Sequence, residues 1–194
     1  MNNNKKGVFV ILSGPSGVGK NTIADILIER GYGIYSVSMT TRKRREKEID
    51  GKDYFFVDTK EFEDNIEKGN FLEYAKYNDN YYGTLKSYVF GNIDNGTNVI
   101  AVVDIQGGVN IDKIFPEAVL IFIMPPSFEE LEHRLRNRNT DSEEDILKRL
   151  EIAKREIDFK DNYDYVVVNN TIEDTVLEIV DIINKEKDKI NGNH

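Results

Sequence analysis

Gly14-Pro15-Ser16-Gly17-Val18-Gly19-Lys20 is a glycine-rich turn that ends in a lysine. Residues of these types at this spacing are suited to holding phosphate. The glycines let the backbone curl until several N–H groups face one anion. A helix beginning near the lysine adds the partial positive charge of its N-terminus. Lys20 brings a full charge to the β- and γ-phosphates of a nucleotide. The segment before the turn, Val8-Phe9-Val10-Ile11-Leu12, is a continuous apolar strand, and Thr22-Ile23-Ala24-Asp25-Ile26-Leu27-Ile28 reads as a helix. With strand, turn, lysine and helix in register, a turn without a ligand is the weaker reading. One position departs from the usual pattern. Where Ser or Thr commonly follows the lysine and meets Mg²⁺, this chain has Asn21, with Thr22 one further on. Phosphate binding by Gly14, Pro15, Ser16, Gly17, Val18, Gly19, Lys20, Asn21 and Thr22 is therefore better supported than direct metal binding.

Further candidates lie between Ser36 and Thr84. Ser36-Val37-Ser38-Met39-Thr40-Thr41-Arg42-Lys43-Arg44-Arg45 puts hydroxyls just before cations. Arginine makes planar, bidentate contacts with phosphate oxygens, so Arg42 and Arg45 could clamp a monophosphate. Read alone, such a run is more often a solvated surface. Glu73 sits among apolar neighbours in Phe71-Leu72-Glu73-Tyr74-Ala75. A carboxylate can accept two N–H groups side by side. Guanine offers such a pair and adenine does not, although a solvent-facing glutamate is the plainer alternative. Tyr81-Tyr82-Gly83-Thr84 adds phenols and a hydroxyl. The two histidines give no obvious general base: His194 is the last residue, and His133 lies in a charged helix beside Arg134.

These residues need a scaffold. A chain of 194 residues suits one domain with a real core. Hydrophobic content of 39% and charged content of 31% fit a globular chain. Cysteine is absent, which excludes disulfides and thiolate sites. The polar N-terminus does not resemble a secretory signal, and no apolar run is long enough for a bilayer. A cytoplasmic protein without membrane contact is expected. The net charge of −9 disfavours nucleic acid as a partner. Any anionic ligand must find its cations gathered locally.

Apolar runs alternate with helix-period segments, which predicts an α/β fold around a mainly parallel, buried, five-stranded sheet flanked by helices. The strands are Val8–Leu12, Val99–Ile105, Leu120–Met124 and Tyr165–Val168, with Ile34–Ser38 a weaker fifth. The helices are Asn21–Arg30, Lys60–Lys68, Gly108–Ile114, Phe128–Arg138, Glu143–Ile157 and Ile172–Lys187. The last carries Val176, Ile179, Val180 and Ile183 on one stripe. The tail Lys185–His194 is expected to fray. Thr40–Val89 and Ser127–Asp158 read as polar insertions without a large hydrophobic centre.

Together the motifs resemble the guanylate kinase family over about Val8 to Lys187. The resemblance rests on Ser13–Lys20, Ser36-Val37-Ser38 with Thr40-Thr41-Arg42, and Gly51-Lys52-Asp53-Tyr54-Phe55-Phe56-Val57. It also rests on Phe71-Leu72-Glu73, Tyr81-Tyr82-Gly83-Thr84, Asp104-Ile105-Gln106-Gly107 and Pro125-Pro126-Ser127. It implies a P-loop kinase that moves a phosphoryl group from ATP to GMP, with Mg²⁺ accompanying ATP. It implies a single domain with a core (1–37, 89–126, 158–194), a small α+β GMP-binding region (38–88) and a helical lid (127–157). The family's GMP-phosphate contacts fall on Arg42, Arg45, Tyr54 and Tyr82, and its guanine contacts on Ser38, Glu73 and Thr84. Its arginines near the triphosphate fall on Arg134, Arg138 and Arg149, and an acidic residue of the metal and phosphate region falls on Asp104. The first carboxylate of the family's Asp-x-Asp is missing, since Val102 occupies that place. Mg²⁺ is then left to the nucleotide, water and at most Asn21, Thr22 or Asp104. A monomer or homodimer acting on small nucleotides is expected.

The chemistry this implies needs no general base, because the phosphate of GMP is already an anion. It needs positioning and cations, supplied by Lys20, Arg42, Arg134, Arg138 and Arg149. It also needs water kept out by a lid that closes after Pro125-Pro126. Arg134 and Arg138, four apart, are expected to face the site, in competition with helix-surface pairing to glutamates such as Glu130. Two other readings compete: a kinase-like module that only binds proteins, and a related kinase with another acceptor. The intact loop lysine and arginines argue against the first, and Glu73 with Thr84 argue for guanine.

Overall fold

In the computed structural model, which describes residues 5–137 and 142–192, a strand leads directly into the glycine-rich turn. This strand, β1 (Phe9–Ser13), is buried along its whole length, and α1 (Lys20–Glu29) follows the turn. Successive side chains of a strand point to opposite faces. Val10 and Leu12 accordingly pack in one hydrophobic cluster with Ile23, Leu27, Val176 and Ile179. Phe9 and Ile11 pack in another with Val89, Ile111, Leu120 and Phe122. Burial on both faces explains why this strand reads as a continuous apolar run.

The strands β2 (Ile34–Tyr35), β7 (Val99–Val102), β8 (Val119–Met124) and β9 (Tyr165–Val168) complete a five-stranded sheet in the order β2-β7-β1-β8-β9. Its pairings are all parallel, as the alternating pattern predicts. Its covering helices include α4 (Ile105–Ile114) and α7 (Ile172–Ile190). The C-terminal ends of β1, β7, β8 and β9 therefore share one edge, where α/β folds place their ligands.

A second, four-stranded sheet, in the order β4-β3-β6-β5, is built from β3 (Ser38–Thr40), β4 (Phe55–Phe56), β5 (Phe71–Tyr77) and β6 (Asn80–Leu85). It carries α2 (Thr59–Glu67) on one face. Phe62 of that helix stacks on Phe71 and Tyr81, with ring centroids 4.5 and 5.1 Å away. Sequence analysis expects no large hydrophobic centre here. A small one exists, formed by Met39, Phe62 and Phe71 with Phe55, Val57, Ile66, Tyr81 and Leu85. Its residues are aromatics spread through a polar stretch, so no long apolar run betrays it.

A register shift between Phe71 and Glu73 breaks the strict alternation of β5. Such a bulge re-aims side chains. Phe71 joins the aromatic cluster under α2, whereas Glu73 faces the opposite side with Thr84.

The structure corrects four expectations. The strand expected over Val99–Ile105 ends at Val102, because Asp104 caps a helix that already begins at Ile105 rather than Gly108. Ile34–Ser38 is not one strand: Ile34 and Tyr35 pair with β7, whereas Ser38 begins β3 in the other sheet. A helix, α3 (Lys86–Asp94), was not anticipated. It buries Val89 and Ile93, four apart, but Gly91 and its low helical amphipathicity hide it in the sequence. The tail does not fray at Lys185. Lys187 Nζ donates to Gly96 O at 3.1 Å, and Asn191 exchanges hydrogen bonds with the backbone of Lys6, so α7 runs to Ile190.

Two lid-segment helices remain, α5 (Phe128–Arg136) and α6 (Glu143–Ile157). They share a separate cluster of Leu131, Leu135, Ile146, Leu150 and Ala153.

Because Phe62 is fully buried at the centre of the small sheet's packing, Phe62→Ala is expected to destabilise by about 3–5 kcal/mol. Urea unfolding followed by tyrosine fluorescence measures it, and a loss below about 1 kcal/mol would contradict this account.

Candidate active site

The glycine-rich turn is shaped by positions that only glycine fills well. Gly14 has φ +136°, and a Cβ there would lie 2.3 Å from Ile123 O. Gly19, at φ +98°, is the N-cap of α1 and provides no side-chain cap. The first N–H groups of α1 thus lack a partner of their own side-chain type, and they lie at the turn. Lys20 folds back, with Nζ donating to Gly14 O at 2.6 Å and Pro15 O at 3.0 Å. A polar cavity of about 180 Å³ is lined by Ser16, Gly17, Gly19, Lys20, Asn21 and Thr22.

Two distant residues brace this turn. Asn169, which follows β9 and is 1% exposed, donates Nδ2–H to Val18 O at 2.8 Å. Its own Oδ1 accepts from Thr175 Oγ at 3.1 Å. Arg149 of α6 donates to Ser16 Oγ at 3.0 Å. Arg134 of α5 donates Nε–H to Glu130 at 2.8 Å and Nη2–H to Asn169 O at 3.2 Å. It lines a cavity of about 360 Å³ with Gly17, Gly19, Thr22, Asn169, Asn170 and Ile172. Both readings of Arg134 therefore hold together: it pairs with a glutamate of its own helix and it borders the turn.

Another cavity, of about 280 Å³, lies between the two sheets. Ser38, Tyr54, Glu73, Tyr82, Thr84 and Asp104 are all in its wall, with Gln106 and Asn110. Strand register brings three of them into line. Ser38 pairs with Thr84 across β3 and β6, and Thr84 pairs with Glu73 across β6 and β5. Thr84 Oγ donates to Glu73 Oε1 at 2.8 Å. Burial pushes the Glu73 carboxyl above its usual range, and the nearby Asp104 charge pushes the same way, against the Thr84 hydrogen bond. Asp104 caps α4, accepting the Gly107 N–H at 2.7 Å.

A further space, of about 470 Å³, joins these regions. It shares Asn21 with the turn and Ser38 and Tyr54 with the Glu73 cavity. The turn and the carboxylate cavity thus open onto one continuous cleft at the C-terminal edge of the main sheet.

Arg42 and Arg45 do not line these spaces. The Arg42 guanidinium makes a bidentate pair with Glu48, at 2.6 and 3.0 Å. It stands 5.4 Å from the centroid of the Tyr54 ring, which does line the cleft. Glu48 also accepts the Arg45 N–H at 2.8 Å. These contacts, Arg42 first, hold the Glu48 carboxyl below its usual range. Arg42 is therefore no solvated surface charge, since its side chain is only 17% exposed. Arg138 lies outside the described residues.

Comparison with known proteins decides the family. A sequence model of the guanylate kinase family matches residues 6–186. The chain belongs to the guanylate kinase family. A guanylate kinase of Caldanaerobacter subterraneus subsp. tengcongensis is 45% identical over 190 residues, covering 97% of this chain and 92% of the relative. One from Oceanobacillus iheyensis is 47% identical over 183 residues, covering 94% and 89%. The crystal structure of guanylate kinase from Anaplasma phagocytophilum superposes with a TM-score of 0.69 at 38% identity, covering 94% of this chain and 87% of that one. The chain is thus a transferase, a nucleoside monophosphate kinase that acts on GMP with ATP.

Sequence reasoning missed two supports of this guanylate kinase site. Asn169 ends a strand at the ligand edge of the sheet, and that position was its only signal. Glu48 lay hidden in a run of charges, six residues from the arginine it holds. Among the described residues, no three Asp, Glu, His or Cys side chains gather as a metal cage. The oxygens of Asn21 and Thr22 beside Lys20 are neutral donors, a set that fits Mg²⁺ arriving with the nucleotide and its waters.

The raised Glu73 carboxyl gives a signed expectation. The folded state binds its proton at higher pH than the unfolded chain, so the ionised form costs stability above the folded value. That cost disappears as pH falls below the ordinary glutamate range. Glu73→Gln is expected to raise the melting temperature of the nucleotide-free protein at pH 8, by about 2–4 °C per kcal/mol relieved. The gain should shrink towards pH 4. Equal melting temperatures of wild type and variant at pH 8 would refute it.

Proposed function

We propose that this chain transfers the γ-phosphoryl group of ATP to the phosphate of GMP with a specific division of labour among its residues. The observation that carries the assignment is the continuous cleft linking the glycine-rich turn to the Glu73 cavity. Gly14–Thr22 receive the ATP phosphates on backbone amides, and Lys20 leaves its carbonyls to meet them. Ser38, Glu73 and Thr84 read the guanine edge. Glu73 accepts the ring N1–H and the exocyclic amine, which requires its ionised form. Tyr54 and Tyr82 offer phenols to the GMP phosphate. Arg42 and Arg45 reach that phosphate after Glu48 yields part of its hold.

The reaction brings two anions together in a protein of net charge −9. Positioned cations must offset that repulsion locally. Lys20, Arg134, Arg149 and Arg138 serve the transferring group. Mg²⁺ bound with ATP supplies further charge neutralisation; Asn21, Thr22 and at most Asp104 would hold it or its waters. No residue is needed as a base, because the attacking oxygen is already charged.

We assign residues 38–88 to a GMP-binding arm and 127–157 to a lid, both closing on the core of 1–37, 89–126 and 158–194. The separate hydrophobic clusters of the small sheet and of α5 with α6 support this division, since each can move as a unit. Closure expels water that would otherwise hydrolyse ATP. The protein acts as a monomer or homodimer on free nucleotides in the cytoplasm. Its cysteine-free composition suits that reducing compartment. No helix among the described residues is long and apolar enough to cross a membrane.

A coupled ADP-release assay with GMP, AMP, UMP and CMP tests the assignment. GMP is expected to turn over far faster than the others, and equal use of AMP would overturn the role of Glu73. Lys20→Ala is expected to lower kcat by at least about 10²–10³-fold, with the fold intact by circular dichroism. Arg42→Ala is expected to raise the KM for GMP by about tenfold or more and leave that for ATP within twofold.

A further inference from the structure

The cavity beside Glu73 has two walls. One is the small sheet, which supplies Ser38, Glu73 and Thr84. The other is the core, which supplies Gln106 and Asn110 from α4. Phosphoryl transfer as assigned leaves these two amides unused. Gln106 Nε2 donates to Asn110 Oδ1 at 2.9 Å. The residues are four apart, so they share one face of the helix. Their pairing fixes which way both amides point. It leaves the Asn110 NH₂ group as a donor and Gln106 Oε1 as an acceptor. Turning the Asn110 amide over by itself would set donor against donor.

The sheet wall is short of what this pair provides. An ionised Glu73 only accepts. Thr84 has one hydroxyl proton and gives it to Glu73 Oε1 at 2.8 Å. Of the row Ser38, Thr84 and Glu73, Ser38 alone keeps a proton to give. The phenols of Tyr54 and Tyr82 are assigned to the GMP phosphate. Guanine carries two acceptors, its C6 oxygen and N7, on the edge next to the N1–H and amine that Glu73 takes. One hydroxyl proton cannot serve both. An acceptor enclosed without a donor costs free energy.

We propose that Asn110 is a specificity-determining residue that donates its side-chain amide to the acceptor edge of guanine, and that Gln106 is the positioning residue that fixes which end of that amide is presented. The base is then read from both walls. Glu73 on the small sheet takes its donors, and Asn110 on the core serves its acceptors. A base held this way spans the GMP-binding arm and α4. Recognising guanine and docking the arm on the core thereby become one event. The inference rests on reading this cavity as the guanine site.

The test is steady-state kinetics of the full-length protein at saturating ATP with four acceptors. These are GMP, 6-thioguanosine monophosphate, 7-deazaguanosine monophosphate and IMP. The thio analogue replaces the C6 oxygen by sulfur, a weak acceptor. The deaza analogue lacks N7. IMP lacks the amine but keeps both acceptors. Asn110→Ala is expected to raise the KM for GMP about three- to tenfold, the worth of one hydrogen bond between neutral partners. Its kcat and its KM for ATP should stay within twofold of wild type. The penalty should disappear with whichever of the thio and deaza analogues lacks the acceptor Asn110 serves, and persist with IMP. Gln106→Ala alters an exposed residue and should show the same pattern with a penalty of about threefold. If Asn110→Ala does not fold, Gln106→Ala decides by that pattern. No penalty with GMP, an equal penalty with GMP and both acceptor analogues, or one that vanishes with IMP instead, would overturn the proposal. A wild type that uses AMP as well as GMP would instead sink the reading of the cavity.

Discussion

Asn169 ties three parts of the chain together through its side-chain amide and its backbone carbonyl. It donates to Val18 in the glycine-rich turn, accepts from Thr175 in the final helix, and offers its backbone carbonyl to Arg134 of α5. A buried amide costs free energy unless its groups are paired, and here the pairing partners are the segments that must stay in register. The turn sits where β1 ends, and Asn169 sits where β9 ends, with β8 between them. The parallel sheet sets that spacing. A preorganised set of amides is effective only if it need not rearrange when charge arrives, so the rest of the site inherits its precision from this brace.

The same logic explains how an acidic protein handles two acidic substrates. The cations assigned to its site are held in place by partners. Arg42 is gripped by Glu48, Arg134 by Glu130, and Lys20 by carbonyls of its own turn. Each partner fixes the orientation of its side chain. The pairs on the helix surface, such as Arg155 with Glu151, contribute little by comparison because solvent screens them.

The main sheet and the phosphate turn were legible in the sequence because each rests on local rules. Buried strands read as apolar runs, and Gly14 and Gly19 mark backbone angles that other residues resist. The chemical types at Ser38, Glu73 and Thr84 were legible too, but not their alignment. That depends on pairings between strands and on a bulge after Phe71, and neither leaves a periodic trace. The helix Lys86–Asp94 escaped for a similar reason, since its few buried positions are interrupted by Gly91. Contacts across long stretches of chain, such as Asn169 to Val18 or Arg149 to Ser16, could not be read from spacing at all.

The row of Ser38, Thr84 and Glu73 has a consequence for how base preference can change. Three rungs on neighbouring strands form a short printed line in the wall of the cavity proposed for the nucleobase. Such a line can be rewritten letter by letter without disturbing the catalytic turn, which hangs from a different sheet. Deleting one residue of β5, by contrast, would slide the whole line out of view while leaving every letter in the gene.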